Sequence, residues 1–516
     1  MSNGQFSPLI EAMLKPEFYP HPVTSPVQLI QTHVSYVFLT GDYAYKVKKP
    51  VNFGFLDYST VEKRQHFCQE ELRMNRRSAP ELYLEVLPIS QEGSEYQLGQ
   101  NGEIVEYVLK MRAFNQDDLW SARFANGLIG EKDMEDLGKV VADFHAQTIT
   151  NDYIAQFGEI PKVRESVDDN YAQTQKYIGG PQTQQQFEET KAYTDGVFAS
   201  EQELFARRIS LKKIRECHGD LHLRNIAQWG DKILLFDCIE FNEPFRLVDV
   251  IYDVAFAVMD VEARGRKDLA NAFLNAYLEQ TGDWEGVPLL SFYCSRQAYV
   301  RGKVTSFLLD DPGVSAEEKQ QAHETAAAYY QLAWSYTQRS EGKLFLMSGL
   351  SGSGKSTVGK LLARRLGAIH IRSDAVRKHL GGVALDQRGG DDLYTPEMTQ
   401  RTYGRVLELG LMLAELGWPV ILDAKYDREQ LRGEAIAAAK AAGLPLQIVN
   451  CTAPEAVLRD RLRQRTGDIA DATADLLAAQ IAGWEPFTPE ETPLVLTIET
   501  TTPIEPQLAA VTTSSH

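Results

Sequence analysis

Two separate runs of residues have the types and spacing that phosphoryl transfer requires. One of them, Gly349-Leu350-Ser351-Gly352-Ser353-Gly354-Lys355-Ser356, fits the pattern G-x-x-x-x-G-K-[ST] in full. Glycines let the backbone wrap closely round a polyphosphate, while N–H groups and a helix N-terminus face its negative charge. Lys355 is expected to reach the β- and γ-phosphates of ATP, and Ser356 to bind Mg²⁺. The residues predicted to bind the nucleotide are Gly349, Ser351, Gly352, Ser353, Gly354, Lys355, Ser356 and Thr357.

The flanking residues decide between this site and a glycine-rich turn without a ligand. The apolar run 344–347 precedes the loop, and the helix-like run 357–362 follows it. Strand, loop and helix come in the order that phosphate binding requires, which favours the nucleotide site.

The second run, His218-Gly219-Asp220-Leu221-His222-Leu223-Arg224-Asn225, has the spacing H-x-D-x-x-x-x-N, and the apolar run 233–236 then leads to Asp237. Phosphoryl transfer needs a carboxylate near the acceptor hydroxyl and oxygen ligands for Mg²⁺. Asp220 is predicted to fill the first role, and Asn225 and Asp237 the second. A capped turn is the alternative, since Asp and Asn also favour turns.

The pattern of apolar residues changes along the chain. Residues 28–113 are strand-rich, with a polar, helix-like run at 61–77, and helical patterns follow from Glu131. After residue 340 apolar strands alternate with helices, which is typical of a parallel α/β sheet. We therefore predict a domain over residues 1–340, a second over 341–498, and a disordered Thr/Ser-rich tail over 499–516.

Three further features follow the glycine loop. One strand ends in Arg372-Ser373-Asp374, before a helix that contains Arg377, and another ends in Asp423. The carboxyl ends of parallel strands face the ligand, so Asp374 is expected at the acceptor and Asp423 near Mg²⁺, although a strand-end turn is the alternative for Asp423. Arg461 and Arg465 share a helix face and could clamp the transferring phosphate; a solvated helix is the alternative.

Residues 28–335 resemble the aminoglycoside phosphotransferase and choline kinase branch of the protein-kinase-like fold. The resemblance implies an α+β domain in which Lys46 contacts the α/β-phosphates and Glu70 or Glu71 pairs with it. Lys48 and Lys49 compete with Lys46 for this role. The helix-like run 248–258 follows Asp237 almost at once, which leaves no room for a peptide-docking activation loop and favours a small-molecule acceptor.

Residues 343–497 resemble the small P-loop kinases, which include gluconate kinase, the kinase module of polynucleotide 5′-hydroxyl kinases, chloramphenicol phosphotransferase and zeta toxins. This resemblance implies that Asp374 activates the acceptor hydroxyl. Lys425 departs from the usual residue at its position and leaves the acceptor open. The whole chain is similar to bacterial proteins described as bifunctional aminoglycoside phosphotransferase/ATP-binding proteins.

Composition narrows the partners and the compartment. The chain has 516 residues, with 53 Lys and Arg against 71 Asp and Glu, which gives a net charge of −18 and argues against general binding to nucleic acids or anionic membranes. Five cysteines without a C-x-x-C pair are typical of a reducing compartment. No run of about 18 apolar residues occurs, so we expect a soluble cytoplasmic protein.

Together these features predict a tandem ATP-dependent phosphotransferase with two Mg²⁺·ATP sites, acting on hydroxyl groups of small molecules. Three alternatives stay open. The chain could be one kinase with a regulatory ATP-binding module, or a pseudokinase attached to one P-loop kinase. The P-loop half could also be a polynucleotide 5′-hydroxyl kinase, since such enzymes share its loop and its Asp.

Overall fold

The computed structural model describes residues 6–23, 26–338, 340–464, 469–471 and 473–513, with side chains as far as residue 509. The chain forms two units. The first consists of Met1–Ile129, Asp143–Asp260 and Tyr293–Trp334, and the second of Gly130–Ala142, Val261–Phe292 and Ser335–His516. The second unit therefore includes two segments that precede the single boundary expected at residue 340.

The strands are numbered in chain order. They are β1 (Gln28–Gln31), β2 (Ser35–Leu39), β3 (Tyr43–Lys48), β4 (Tyr83–Glu92), β5 (Glu95–Leu98), β6 (Glu103–Arg112), β7 (Ile214–Glu216), β8 (Ile226–Trp229), β9 (Lys232–Leu235), β10 (Leu247–Asp249), β11 (Lys343–Ser348), β12 (Ile369–Arg372), β13 (Pro419–Asp423), β14 (Leu446–Thr452) and β15 (Val495–Glu499).

The α-helices are numbered in the same way. They are α1 (Pro8–Met13), α2 (Val61–Asn75), α3 (Trp120–Ala125), α4 (Glu131–Gln147), α5 (Asp152–Ala155), α6 (Ile160–Thr174), α7 (Gln184–Ser200), α8 (Gln202–Ser210), α9 (Glu243–Arg246), α10 (Val250–Ala263), α11 (Lys267–Thr281), α12 (Leu290–Asp310), α13 (Ala316–Ser335), α14 (Lys355–Leu366), α15 (Ser373–Gly381), α16 (Pro396–Glu415), α17 (Glu429–Ala441), α18 (Glu455–Gln464), α19 (Leu477–Ala482) and α20 (Ile504–Thr513). Short 3₁₀ turns lie at Pro16–Phe18, Gln116–Asp118, Gln156–Gly158, Gln175–Tyr177, Leu223–Asn225, Trp284–Leu289, Asp391–Tyr394, Ala474–Leu476 and Thr492–Leu494.

The first unit begins with an antiparallel sheet of six strands in the order β1-β2-β3-β6-β4-β5. Successive side chains of a strand point to opposite faces. On β3 this places Tyr45 and Val47 in an apolar core, while Lys46 and Lys48 share the other face. Helix α2, capped by Thr60 and carrying the fully buried Glu71, packs against β4 and β6.

A helical region follows this sheet, so the first unit has an α+β fold. The helix expected over 248–258 begins later, at Val250, because Leu247–Asp249 pairs as β10 with Ile214–Glu216 in β7. Helix α10 is apolar on most of its faces and is almost wholly buried. A sequence reading that relies on one apolar stripe cannot locate the first turn of such a helix.

The second unit contains a parallel sheet of five strands in the order β12-β13-β11-β14-β15, as expected for an α/β P-loop domain. Its core joins residues of the strands to the inner face of α14. The buried residues of this core include Phe345, Met347, Val358, Leu362, Ile421, Val449 and Ile498.

The expectation of a disordered tail over 499–516 is wrong for the residues that the structure describes. Glu499 ends β15, and Ile504–Thr513 forms α20. Leu508 is fully buried in the core of the second unit, and Ile504, one helical turn earlier, packs against it. The Thr/Ser-rich composition concealed this apolar i, i+4 pair. Residues 514–516 lie outside the described residues.

Two further properties concern the cysteines and the helices. All five cysteines fall within the described residues and are buried free thiols. No helix in the described part of the chain has the length and apolar character needed to cross a membrane.

Candidate functional sites

Lys46 lies at the centre of the first site. Its Nζ donates to Glu71 Oε1 at 2.7 Å and to Asp237 Oδ1 at 2.8 Å. Burial alone would lower the pKa of Lys46, but the Asp237 and Glu71 carboxylates outweigh it and hold that pKa well above its usual range. The ammonium group of Lys46 thus connects strand β3 with helix α2 and with the segment that follows β9.

The lysines and glutamates that competed for this position have other partners. Lys48 is buried and donates to Glu71 Oε2 at 2.6 Å and to Glu240. Lys49 donates instead to the carbonyl oxygen of Thr32 at 2.6 Å. Glu70 forms an ion pair with Arg73 at 2.8 Å, so the partner of the β3 lysines is Glu71.

Asp237 has a backbone conformation that few residues other than glycine adopt, with φ of 61°. Its N–H donates to the hydroxyl of Tyr83 at 3.1 Å, and the next N–H, of Cys238, donates to Asn75 Oδ1 at 2.9 Å. Tyr83 and Asn75 therefore hold the turn that directs the Asp237 carboxylate toward Lys46. Neither residue was expected from the sequence, because each lies more than 150 residues away.

The catalytic-loop candidates lie together. Asn225 Nδ2 donates to Asp220 Oδ2 and to the Asp220 carbonyl oxygen, each at 3.0 Å, and His222 Nε2 lies 3.3 Å from Asp220 Oδ2. Burial raises the pKa of Asp220, but the charge and hydrogen bond of His222 and the charge of His218 lower it to about 2. Asp220 is consequently ionised at neutral pH and can accept a hydrogen bond from a hydroxyl group.

Asp253 on α10 holds the backbone at the start of this catalytic-loop segment, a role that was not expected from the sequence. Its carboxylate accepts from the N–H of His218 at 2.7 Å and from the N–H of Gly219 at 2.8 Å. His145 Nε2 lies 3.2 Å from the same carboxylate, so His145 helps to hold Asp253 in place. The sequence did contain a signal for this role, because Asp253 lies within an apolar helix. The Asp253 side chain is fully buried, and a buried carboxylate needs several hydrogen-bond donors.

In the second site the glycine loop joins β11 to α14, as its spacing predicts. Gly349 and Gly354 have φ of 136° and 88°, a region that favours glycine. A Cβ at Gly349 would lie 2.4 Å from the Cys451 carbonyl oxygen, so only glycine fits there. Lys355 Nζ donates to the carbonyl oxygens of Gly349 and Leu350 at 2.9 Å each, and burial lowers its pKa.

Arg461 contacts the back of this loop. It donates from one guanidinium nitrogen to Thr500 Oγ1 at 2.8 Å and to the Gly352 carbonyl oxygen at 3.3 Å, and from the other to the Thr500 carbonyl oxygen at 2.9 Å. The structure therefore places this predicted lid cation against the loop and residue 500. Arg465, the other predicted lid cation, lies outside the described residues.

The two acids of the second site are at strand ends. Asp423 ends β13 and pairs in register with Met347 on β11, immediately before the glycine loop. Burial raises the pKa of Asp423, but the hydrogen bond from His370 and the charges of Arg372 and Lys355 lower it to about 2. Asp374 lies in the first turn of α15, at the end of neighbouring β12, with its side chain partly exposed.

Three cations near Asp374 are engaged within the protein. Arg377 donates to the Leu393 carbonyl oxygen at 2.8 Å, and Lys378 to the Gln387 carbonyl oxygen at 2.6 Å. Arg372 contacts Glu279 at 3.5 Å. Both Arg377 and Lys378 are buried.

The residues of both sites fit Mg²⁺·ATP. Gly354 has a positive φ that favours glycine, and the Ser353 hydroxyl beside it is buried without a hydrogen-bond partner. Such an unsatisfied group is rare and suits a phosphate oxygen. In the first site Asp237 and Asn225 supply the oxygen ligands that Mg²⁺ prefers. ATP and Mg²⁺ are therefore the cofactors of the chain.

The chain is similar to several known proteins. A family model described as an AAA domain matches residues 344–487. The uncharacterized protein Rv2004c of Mycobacterium tuberculosis is 31% identical over 474 residues, which are 90% of this chain and 92% of the relative. The shikimate kinase of Geobacter sulfurreducens is 34% identical over 160 residues, which are 30% of this chain and 80% of that enzyme.

Among solved structures, the amicoumacin kinase hAmiN in complex with AMP-PNP, Ca²⁺ and Ami shares 13% identity, with a TM-score of 0.38 over 63% of this chain and 92% of that one. The extended match to Rv2004c and the match to shikimate kinase carry the assignment. The chain belongs to the family of the mycobacterial protein Rv2004c and is an ATP-dependent phosphotransferase with a P-loop kinase domain.

Proposed function

We propose that the chain is a tandem phosphotransferase in which each of two Mg²⁺·ATP sites transfers a phosphoryl group to a hydroxyl group of a small molecule. The observation that carries this proposal is the presence of two separate sets of charged groups. Lys46, Glu71 and Asp237 meet within hydrogen-bonding distance in the first unit. In the second unit Lys355 begins α14, the helix that follows β11 and the glycine loop, and Asp423 ends the adjacent strand β13.

In the first site the roles follow from position and charge. Lys46 holds the α/β-phosphates, and Glu71 keeps its ammonium group in place. Asn225 and Asp237 would hold Mg²⁺, which supplies neutralisation of phosphate charge when bound. Asp220, ionised at neutral pH, orients the acceptor hydroxyl and receives its proton.

In the second site Lys355 and Ser356 hold the β/γ-phosphate end of the nucleotide. Asp423 would hold Mg²⁺ through water, and Asp374 orients the acceptor hydroxyl and receives its proton. Arg465 stays a proposed lid cation. Arg461 can act as a lid cation only if its guanidinium group gives up its hydrogen bonds to Thr500.

Two observations support small molecules as acceptors. Only a short segment separates Asp237 from α9 and α10, too short for a peptide-docking activation loop of the protein-kinase type. Near Asp374, the cations Arg377 and Lys378 already bond to backbone carbonyls. A polynucleotide acceptor needs several free cations for its phosphates, so this arrangement argues against one.

The two-site proposal can be tested in the full-length chain. ATP turnover is measured for the parent, for Asp220→Asn, for Lys355→Ala and for the double variant. We expect each single variant to lose one component of turnover and the double variant to lose both. If Asp220→Asn removes all turnover and Lys355→Ala removes none, the second site is a regulatory nucleotide site. The reverse result would make the first unit a pseudokinase.

The acceptors are identified by coupled ATP consumption with a panel of sugars, amino alcohols and aminoglycosides, and with 5′-hydroxyl oligonucleotides. We expect sugars or other hydroxylated metabolites to be phosphorylated in a manner that Asp220→Asn or Asp374→Asn abolishes. Salt-sensitive labelling of oligonucleotides that Asp374→Asn abolishes would contradict the proposal for the second site. Efficient turnover of aminoglycosides alone would contradict it for the first.

A further inference from the structure

Helix α11 covers the open edge of the parallel sheet in the second unit. Strand β12 is the edge strand, and the outward-facing N–H and C=O groups of an edge strand need partners. Asn271 and Asn275 provide them, one helical turn apart. Their Nδ2 atoms donate to the Ala368 carbonyl oxygen at 2.9 and 3.0 Å, and the N–H of His370 donates to Asn275 Oδ1 at 2.7 Å.

The same histidine contacts the acid at the end of the neighbouring strand. His370 Nε2 lies 3.1 Å from Asp423 Oδ2, and both side chains are buried, with 4% of each exposed. The ring is seated against Gly359 on α14, where a Cβ would approach Nε2 to 2.8 Å. The His370 ring is therefore enclosed between its own strand, β12, and helix α14.

We propose that His370 and Asn275 are positioning residues for the metal carboxylate of the P-loop site, so that residues 261–292 are a functional part of this kinase. Asn275 fixes the backbone of His370, and His370 fixes the carboxylate of Asp423. The proposal rests on the proposed function, in which Asp423 holds Mg²⁺ through water.

The geometry explains why such fixing matters. His370 and Arg372 both approach Oδ2 of Asp423, at 3.1 and 3.9 Å. Hydrogen bonding at one oxygen sets the rotation of the carboxylate and hence the direction of the other oxygen. Groups that orient a ligand in this way typically affect metal affinity by about tenfold to a hundredfold when they are removed.

The test measures binding of the ATP analogue AMP-PNP to the full-length chain by calorimetry, with Mg²⁺ and with EDTA. The component that Lys355→Ala removes belongs to the P-loop site. In the parent we expect Mg²⁺ to tighten this component. His370→Leu is expected to reduce that tightening by about tenfold to a hundredfold, and His370→Gln, which keeps a donor near the Nε2 position, to retain most of it.

Asn275→Ala has a matched control in Asn271→Ala. Both lose a bond to Ala368, and Asn271 Oδ1 also accepts from Asn275 Nδ2 at 3.0 Å, but only Asn275 contacts His370. We expect a weaker Mg²⁺ effect in Asn275→Ala and the parent's effect in Asn271→Ala. Asn275 is only partly buried, so this pair carries the test if His370→Leu does not fold.

The possible failures are distinguishable. A parent that shows no Mg²⁺-sensitive component dependent on Lys355 would overturn the proposed function and this inference with it. Folded His370→Leu with the parent's Mg²⁺ effect would overturn the inference alone. So would the parent's Mg²⁺ effect in folded Asn275→Ala.

Discussion

Arg461 and Thr500 form a two-point contact behind the phosphate-binding loop, with the guanidinium group bonded to both the hydroxyl and the carbonyl oxygen of Thr500. The Thr500 hydroxyl in turn donates to the Ser353 carbonyl oxygen at 2.8 Å. In a trans peptide the C=O and the following N–H point in opposite directions. The contact therefore directs the N–H of Gly354 away from Thr500, toward the concave side of the loop where phosphate binds.

Thr500→Val should weaken nucleotide binding at the P-loop site, by about tenfold if the loop loses its fixed conformation. Thr500→Ser keeps the hydroxyl and should bind nearly as the parent does. Calorimetric titration with ADP measures both. Thr501→Val is the control, because the Thr501 hydroxyl bonds to Glu499 and not to the loop. Equal affinities for Thr500→Val and the parent would contradict a positioning role.

The two lysines of β3 should differ in what their loss affects. Lys46→Met is expected to reduce turnover at the first site by roughly a hundredfold to a thousandfold, as removal of one charge-stabilising group does. Lys48→Met leaves the buried Glu71 and Glu240 without a shared cation, so it should lower the free energy of unfolding by about 3 kcal/mol or more. Urea unfolding and ATP turnover separate the two effects. Equal losses of turnover with unchanged stability in Lys48→Met would show that Lys48 also binds phosphate.

Glu71 should make stability depend on pH in the acid range. Burial raises the pKa of Glu71, but the charges of Lys46 and Lys48 lower it to about 2 from its ordinary value of 4.5. Between these values the unfolded chain binds more protons than the folded chain, so stability falls as the pH drops from 4.5 toward 2. Urea unfolding at several pH values should show a shallower slope in Glu71→Gln. Glu70→Gln, at a partly exposed pair with Arg73, should alter the slope less.

The sequence predicted what is local in both sites. Asp220, Asp237 and the glycine loop were predicted from turns, strand ends and loop spacings, which depend on neighbouring residues, whereas Lys46 was implied by the resemblance to the aminoglycoside phosphotransferases. The sequence did not decide between Glu70 and Glu71, since that choice depends on which face of α2 meets β3.

The groups that hold these residues were missed for the same reason. Thr500 contacts Ser353 across 147 positions and Asn275 contacts His370 across 95, distances at which spacing carries no information. Asp253 is nearer, yet its role depends on where a helix packs. Arg461 was placed on the expected helix, but its partner lay in a segment whose Thr/Ser content predicted disorder.

The contacts of α11 lead to a last prediction, about where the P-loop kinase can be separated from the rest of the chain. A fragment of residues 335–516 contains the whole parallel sheet but lacks 130–142 and 261–292. It exposes the edge of β12 at Ala368 and His370, which α11 covers in residues 261–516. Exposed strand edges promote association, so the fragment should melt at a lower temperature than residues 261–516 and elute as larger species. Circular dichroism and size-exclusion chromatography measure both properties. If the 335–516 fragment is monomeric and melts at the same temperature as residues 261–516, the sheet is stable without α11. The boundary expected near residue 340 would then also be the boundary of an independently folding domain.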